Sequence, residues 1–184
     1  MQNLTDNPDE LFDLVNESDQ VIGQVSRGAA HRDPTLIHRS VQVLVFARDG
    51  RLLLQKRSSG KDLFPGYFCA SACGHVDAGE DYDTTARREA REELGVNLQP
   101  RFVAKTFVRS EQETEMTAIY VGVCDGPFQF HPGETAGGAF YTLDQALAGR
   151  MSGALPMTPA LLVALAEIER QRAAGSLSRL IAGL

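Results

Sequence analysis

The stretch Gly74-His-Val-Asp-Ala-Gly-Glu80-Asp-Tyr-Asp-Thr-Thr-Ala-Arg-Arg88-Glu89-Ala-Arg-Glu92-Glu93-Leu-Gly95-Val96 decides the fold. Glu89, Glu92 and Glu93 stand three and four residues apart, a spacing that gathers their carboxylates on one face of a helix. Like charges held that close repel one another. A hard divalent cation, Mg²⁺ or Mn²⁺, prefers oxygen ligands and relieves the repulsion. A cation held by glutamates is a device for chemistry on phosphates. Ala86, Ala90 and Leu94 recur every four residues and form the buried stripe of the same helix, with two small side chains that let it sit close to a sheet. Asp83 or Thr84 is expected to cap its start. Gly95 suits the position after its end, where a positive φ stops a helix.

Upstream, residues 11–16 and 21–25 read as two strands of a hairpin, preceded by a flexible lead over residues 1–10. Residues 26–40 are polar, and Pro34 opposes a long helix there. A β-branched run at 41–47, the Asp49-Gly50 turn and a returning strand at 51–57 follow, then a loop and a strand around 69–73. Downstream, strands are expected at 102–109, 116–123 and 140–141, with an acidic turn between the first two. Thr142 with Gln145 three residues on is a capping box for a short helix over 143–149. Thr158 with Pro159 starts a last helix running to 172. The pattern predicts an α/β protein: a mixed sheet covered by helices from both parts of the chain, in one domain over 11–184 that includes the C-terminal helix. The apolar stripe of that helix could dock on its own sheet or, in a homodimer, on a twin.

The chain has 184 residues and a formal charge of −6, which argues against a nucleic-acid backbone as partner but allows a locally basic pocket for a phosphorylated small molecule. No run of apolar residues is long enough to span a membrane. The three cysteines, an odd count behind an N-terminus without signal-peptide character, suggest reduced thiols and a cytoplasmic location.

The glycine, glutamate and arginine spacing from Gly74 to Val96 resembles the Nudix box at every fixed position. The resemblance implies an α/β/α sandwich around a mixed β-sheet. It implies that Glu89, Glu92 and Glu93 bind Mg²⁺ or Mn²⁺ with help from the Gly74 carbonyl, and that Arg88 orients the glutamates through ion pairs. Glu80 would support the loop-to-helix junction. The implied reaction is attack of an activated water on a diphosphate joined to another group.

A second resemblance runs over residues 11–170. His31-Arg-Asp with His38-Arg, Leu52-Leu-Leu-Gln-Lys-Arg, Lys61-Asp with Phe64-Pro-Gly, and Ser71-Ala-Cys73-Gly-His75 are similar to the isopentenyl-diphosphate isomerase branch of the superfamily. That likeness implies a metal centre made by His31, His38, His75, Glu113 and Glu115. It makes Cys73 and Glu115 the acid–base pair, and Arg27, Arg57 and Lys61 the diphosphate-binding residues. Because Lys56 and Arg57 alternate, at most one faces the ligand, and the likeness selects Arg57.

The chain departs from that isomerase in three ways. It has no tryptophan, and Phe64 and Phe68 stand where the isomerase has its aromatic wall. The tyrosine that assists proton transfer has no match. The box, degenerate in the isomerase, is intact here. A sister branch with the same histidine and lysine strings and an intact box, regarded as hydrolases of uncertain substrate, is the better resemblance. The leading expectation is therefore a hydrolase cleaving a diphosphate linkage in a small molecule. The isomerase is the alternative, and a non-catalytic binding module the third class.

Overall fold

The structure, a computed structural model, describes residues 7–131 and 133–182. Its axis is strand β3 (Ile37–Phe46), which pairs in parallel with β8 (Thr114–Val123) along its whole length. The other edge of β3 is shared. β6 (Ala72–His75) lies antiparallel beside Ser40–Val43, whereas β4 (Leu52–Arg57) meets β3 only where Leu52 faces Phe46. Between the two, the buried Ser71 hydroxyl accepts the Val45 N–H at 2.8 Å and donates to the Leu53 carbonyl at 2.5 Å. One side chain thus closes the ladder where the strands part. β4 continues to β5 (Phe68–Cys69) and β9 (Thr135–Tyr141), and β7 (Arg101–Arg109) lies outside β8.

Strand alternation sorts the core onto two faces. Val41, Val43 and Val45 of β3, with Ala118 and Tyr120 of β8, pack under α2 (Tyr82–Leu94) through Ala86, Ala90 and Leu94. Leu44 and Phe46, with Ile119 and Val121, pack under α3 (Leu143–Ser152), α4 (Pro159–Ala173) and α5 (Leu177–Ala182). The result is the expected α/β/α sandwich around a mixed sheet. The apolar stripe of α4 is covered by its own sheet: Leu161, Ala164, Leu165 and Ile168 are all fully buried. It is not left open for a twin.

Several boundaries differ from the sequence expectation. β3 starts at Ile37, not at residue 41, because His38, Ser40 and Gln42 are buried polar residues on the face that also carries Leu44 and Phe46. The strand expected around 69–73 is two short strands, β5 and β6, separated at Ser71. The cap of α2 is Asp81, whose carboxylate accepts from the Thr84 N–H at 2.8 Å. Asp83 instead accepts from the Tyr120 hydroxyl at 2.6 Å. Gly95 ends the helix at φ 71, and the capping box of Thr142 and Gln145 forms as expected. A one-turn helix, α1 (Arg27–Ala30), occupies the polar stretch. Residues 1–6 of the lead expected to be flexible lie outside the described residues. Residues 7–10 are tied down, since Pro8 and Glu10 carbonyls accept from the Gly28 and Arg27 N–H groups at 2.9 and 2.7 Å.

The hairpin of β1 (Leu11–Val15) and β2 (Val21–Ser26) forms a separate two-stranded sheet. Its Phe12 is fully buried, stacked on His38 and tilted on His75. Its turn is pinned by Asp19, whose carboxylate accepts from Arg39 Nε at 2.6 Å, from the Tyr82 hydroxyl at 3.1 Å and from Lys105 Nζ. Three cationic or hydroxyl donors lose their shared acceptor in Asp19→Ala. That variant is expected to lose about 1.5 kcal/mol in urea unfolding, and an unchanged midpoint would show the clamp to be idle.

Candidate active site

Toward its start, the face of β3 that packs under α4 turns polar. Where Leu44 and Phe46 lie beneath α4, the same face nearer the strand start carries His38, Ser40 and Gln42, and β8 carries Glu115 and Thr117 beside them. Here a cavity of about 450 Å³ opens. Arg27, His31, Arg57, Lys61, Cys73, Gly74, His75, Arg88, Glu89, Glu92, Glu93, Glu113 and Glu115 all line it. His38, fully buried, lies behind the other two imidazoles. The sequence-predicted residues therefore share one space, although they come from α1, β3, β4, β6, α2, β8 and the loops between them.

The glutamate face of α2 forms one side. Arg88 holds it together: Nη1 donates to Glu89 at 2.7 Å and to Glu92 at 3.2 Å, and Nη2 donates to Glu80 at 3.0 Å and to the His75 carbonyl at 3.1 Å. Glu92 stands at the mouth with a 58% exposed side chain, while Glu89 and Glu93 are buried. Gly74 permits this packing. A methyl group at residue 74 would overlap Glu89 Oε1 and Cδ and lie 2.8 Å from Oε2. Glu93 sits where β4 and β6 diverge, its Oε2 accepting from Gln55 Nε2 at 2.5 Å and from the Cys73 N–H at 3.1 Å. Burial raises Glu89 to about 8 against the opposing pull of Arg88, and burial with the neighbouring Cys73 and Glu89 pushes Glu93 well above the carboxylate range. Carboxylates held so unfavourably in their charged form are those a bound cation would stabilise, so this donor set fits a hard divalent ion.

The imidazoles form the other side. Ligand atoms of His31, His38, His75 and Glu113 all lie within 4.8 Å of one another. His31 Nε2 is 3.2 Å from Glu113 Oε2, and His38 Nε2 is 3.8 Å from the same oxygen. His31 Nε2, both His38 nitrogens and Glu113 Oε2 are buried without a hydrogen-bond partner among the described residues. Convergent buried donors of this kind carry a large desolvation cost unless something binds them. Imidazole nitrogens with one carboxylate suit a divalent ion softer than Mg²⁺. Burial, with the neighbouring His75, takes His38 down to about 3, and burial with Arg27 takes His75 well below its usual value. Both rings are neutral at physiological pH, as ligation requires. Burial and Glu113 raise Glu115 to about 8.

The basic residues are partly engaged by the protein. Arg27 meets Glu10, Asp62 and His75 Nδ1 at 3.3–3.4 Å. Lys61 is paired with Glu134 at 2.8 Å. Arg57 donates from Nε to the Leu63 carbonyl at 3.0 Å and faces the cavity, whereas Lys56 is exposed and does not line it. The neighbouring Cys69 thiol, together with burial, pushes the Cys73 thiol well above its usual pKa. Arg109 pairs with Glu17 away from the cavity.

Sequence reasoning passed over Gln55, Asp62 and Glu134. Gln55 lies within the Leu-Leu-Leu-Gln-Lys-Arg string, whose pattern marks it only as a strand residue. Asp62 lay beside Lys61. Glu134 belongs to no local pattern, since only folding brings its loop against Ser58, whose hydroxyl donates to the Gly133 carbonyl at 2.9 Å.

A family model for the NUDIX domain matches residues 36–161. A Nudix hydrolase of Deinococcus radiodurans is 36% identical over 151 residues, covering 79% of this chain and 86% of the relative. An isopentenyl-diphosphate Delta-isomerase of Streptomyces avermitilis is also 36% identical, over 141 residues, covering 72% of this chain and 71% of the relative. The crystal structure of DR0079 from Deinococcus radiodurans superposes with a TM-score of 0.72 at 32% identity, covering 84% of this chain and 97% of that one.

Proposed function

The chain belongs to the Nudix family, and from that premise we propose that this hydrolase cleaves a diphosphate linkage in a phosphorylated small molecule, dependent on Mg²⁺ or Mn²⁺. The observation that carries the reading is the intact glutamate face, with Arg88 bridging Glu80, Glu89 and Glu92 and Glu89 packed on Gly74. Glu89, Glu92 and Glu93, with the Gly74 carbonyl, would hold the cation. When bound, it supplies charge neutralisation for the transferring phosphoryl group and a lowered pKa for water. Arg88 keeps the carboxylates from swinging apart. Arg57 presents a bidentate donor to phosphate oxygens, and Lys61, once it leaves Glu134, adds a point charge.

The imidazole side, with His31, His38 and Glu113, is read as a second divalent-ion centre. With Arg27 donating to its Nδ1, His75 carries its ring hydrogen on Nε2, 3.6 Å from Glu115 Oε1. His75 joins the ligand set only when Arg27 releases it. This centre, with Cys73 and Glu115 in the same cavity, also favours a second reading: isomerisation of an allylic or homoallylic diphosphate, with Cys73 and Glu115 as proton donor and acceptor.

One assay separates the two. The protein is incubated with Mg²⁺ and a panel of diphosphates that includes nucleoside diphosphate derivatives and isopentenyl diphosphate, and both released phosphate and isomerised product are measured. The hydrolase reading expects phosphate release that a chelator abolishes and that falls sharply in Glu92→Gln without loss of fold. Isomer formation without phosphate, lost in Cys73→Ala, would replace it with the second reading.

A further inference from the structure

The two sides of the imidazole centre are held by opposite kinds of neighbour. A guanidinium only donates, so Arg27 can approach His75 Nδ1 only as a lone pair. An ionised carboxylate only accepts, so Asp62 can approach His31 Nδ1, 3.3 Å from its Oδ2, only when that nitrogen carries the ring hydrogen. The consequence falls on the far side of the His31 ring. With the hydrogen on Nδ1, Nε2 keeps its lone pair and points it at Glu113, 3.2 Å away, and toward His38 behind it.

Asp62 is itself placed for this. It follows Lys61 on the loop after β4, and its Oδ1 accepts from the Leu63 N–H at 2.8 Å, which fixes the carboxylate beside its own backbone. Arg27 Nη2 reaches both oxygens at 3.4 Å. The His31 ring is almost enclosed, with a 9% exposed side chain, whereas the Asp62 side chain is 38% exposed at the rim. Asp62 therefore touches the ring from outside and does not enter the convergence of His31, His38, His75 and Glu113.

We infer that Asp62 is the positioning residue of the imidazole centre: through His31 Nδ1 it fixes the tautomer that turns Nε2 toward a divalent ion shared with His38 and Glu113. The inference rests on the reading of that centre as a metal site. Hydrogen bonding a ligand imidazole to a carboxylate orients the ring and raises its basicity, and loss of such a partner weakens metal binding by about 10–100-fold.

Co²⁺ serves as the probe, titrated with excess Mg²⁺ present to fill oxygen-only sites, and read by its visible absorption without any substrate. Wild-type protein is expected to give a nitrogen-ligated Co²⁺ spectrum that His38→Ala abolishes. Asp62→Ala should keep the band positions, because the ligands are unchanged, while affinity falls about 10–100-fold. Asp62→Asn, which keeps an acceptor oxygen for Nδ1–H, should recover most of that loss. Asp62→Ala binding as tightly as wild type would overturn the inference. So would Asp62→Asn binding as weakly as Asp62→Ala, since charge rather than orientation would then be responsible. Wild-type protein that takes up no Co²⁺ would instead remove the metal-centre reading on which the inference stands.

Discussion

Gly74→Ala is expected to lower Mg²⁺-dependent phosphate release by about 100-fold while leaving the protein folded. Gly74 is an ordinary strand residue opposite Val41, and its backbone conformation is open to alanine. The atoms nearest the added methyl are all at the end of the Glu89 side chain. That end can swing away, but it then gives up the 2.7 Å contact with Arg88 and its place in the glutamate face. The overpacking therefore costs about 1 kcal/mol of stability, at the low end for such changes, and concentrates its effect on cation binding. Mn²⁺ affinity by calorimetry, kcat/KM and the urea midpoint together check this. An alanine variant with wild-type Mn²⁺ affinity would show that Glu89 is not a ligand.

The second large effect is on stability. Glu89 and Glu115 are raised from about 4.5 to about 8 in the folded protein, so between those values the native state holds protons that the unfolded chain has lost. Their ionisation destabilises the fold as pH rises through that window. His38, lowered from 6.5 to about 3, acts in the opposite sense, and its stabilisation by rising pH is complete near 6.5. His38, with the likewise lowered His75, offsets only part of the carboxylate contribution from about 4.5 to 6.5, and above 6.5 only the carboxylates remain. Metal-free protein is therefore expected to lose about 3 kcal/mol of unfolding free energy between pH 6.5 and 8. A divalent cation held, as proposed, by the ionised carboxylates of the native state would flatten that fall. Unfolding curves across the range with chelator and with Mg²⁺ provide the check. A metal-free protein whose stability is level from 6.5 to 8 would contradict it.

The glutamate helix was legible because local chemistry determines it: alanines on one side, carboxylates on the other, and Gly95 at its end. The sheet was less legible for a reason tied to the site. A buried strand face is expected to be apolar, yet β3 buries His38, Ser40 and Gln42 on the face that continues into Leu44 and Phe46. His38 and Ser40 give the first residues of the strand the composition of a loop. The positions where the pattern failed are those that line or back the cavity. Likewise, Ser71 read as part of one strand because nothing local reveals that its hydroxyl spans two others. The imidazole set was named through family resemblance. Asp62 and Glu134, which act on it and on the basic residues from separate loops, had no motif to name them.

The parallel pairing of β3 with β8 has a consequence for how this protein comes into being. Ser40 and Thr117, bonded through their hydroxyls at 2.7 Å, are 77 residues apart in the chain. Pairing at that separation carries a closure entropy met before any contact rewards it, and it is slow to form. His31, His38 and His75 are all synthesised before the Glu113 and Glu115 that complete their surroundings. A nascent chain on the ribosome therefore carries an imidazole cluster without its carboxylates until β8 has emerged. An ion proposed for that centre would gain its carboxylate ligand only after β8 has emerged.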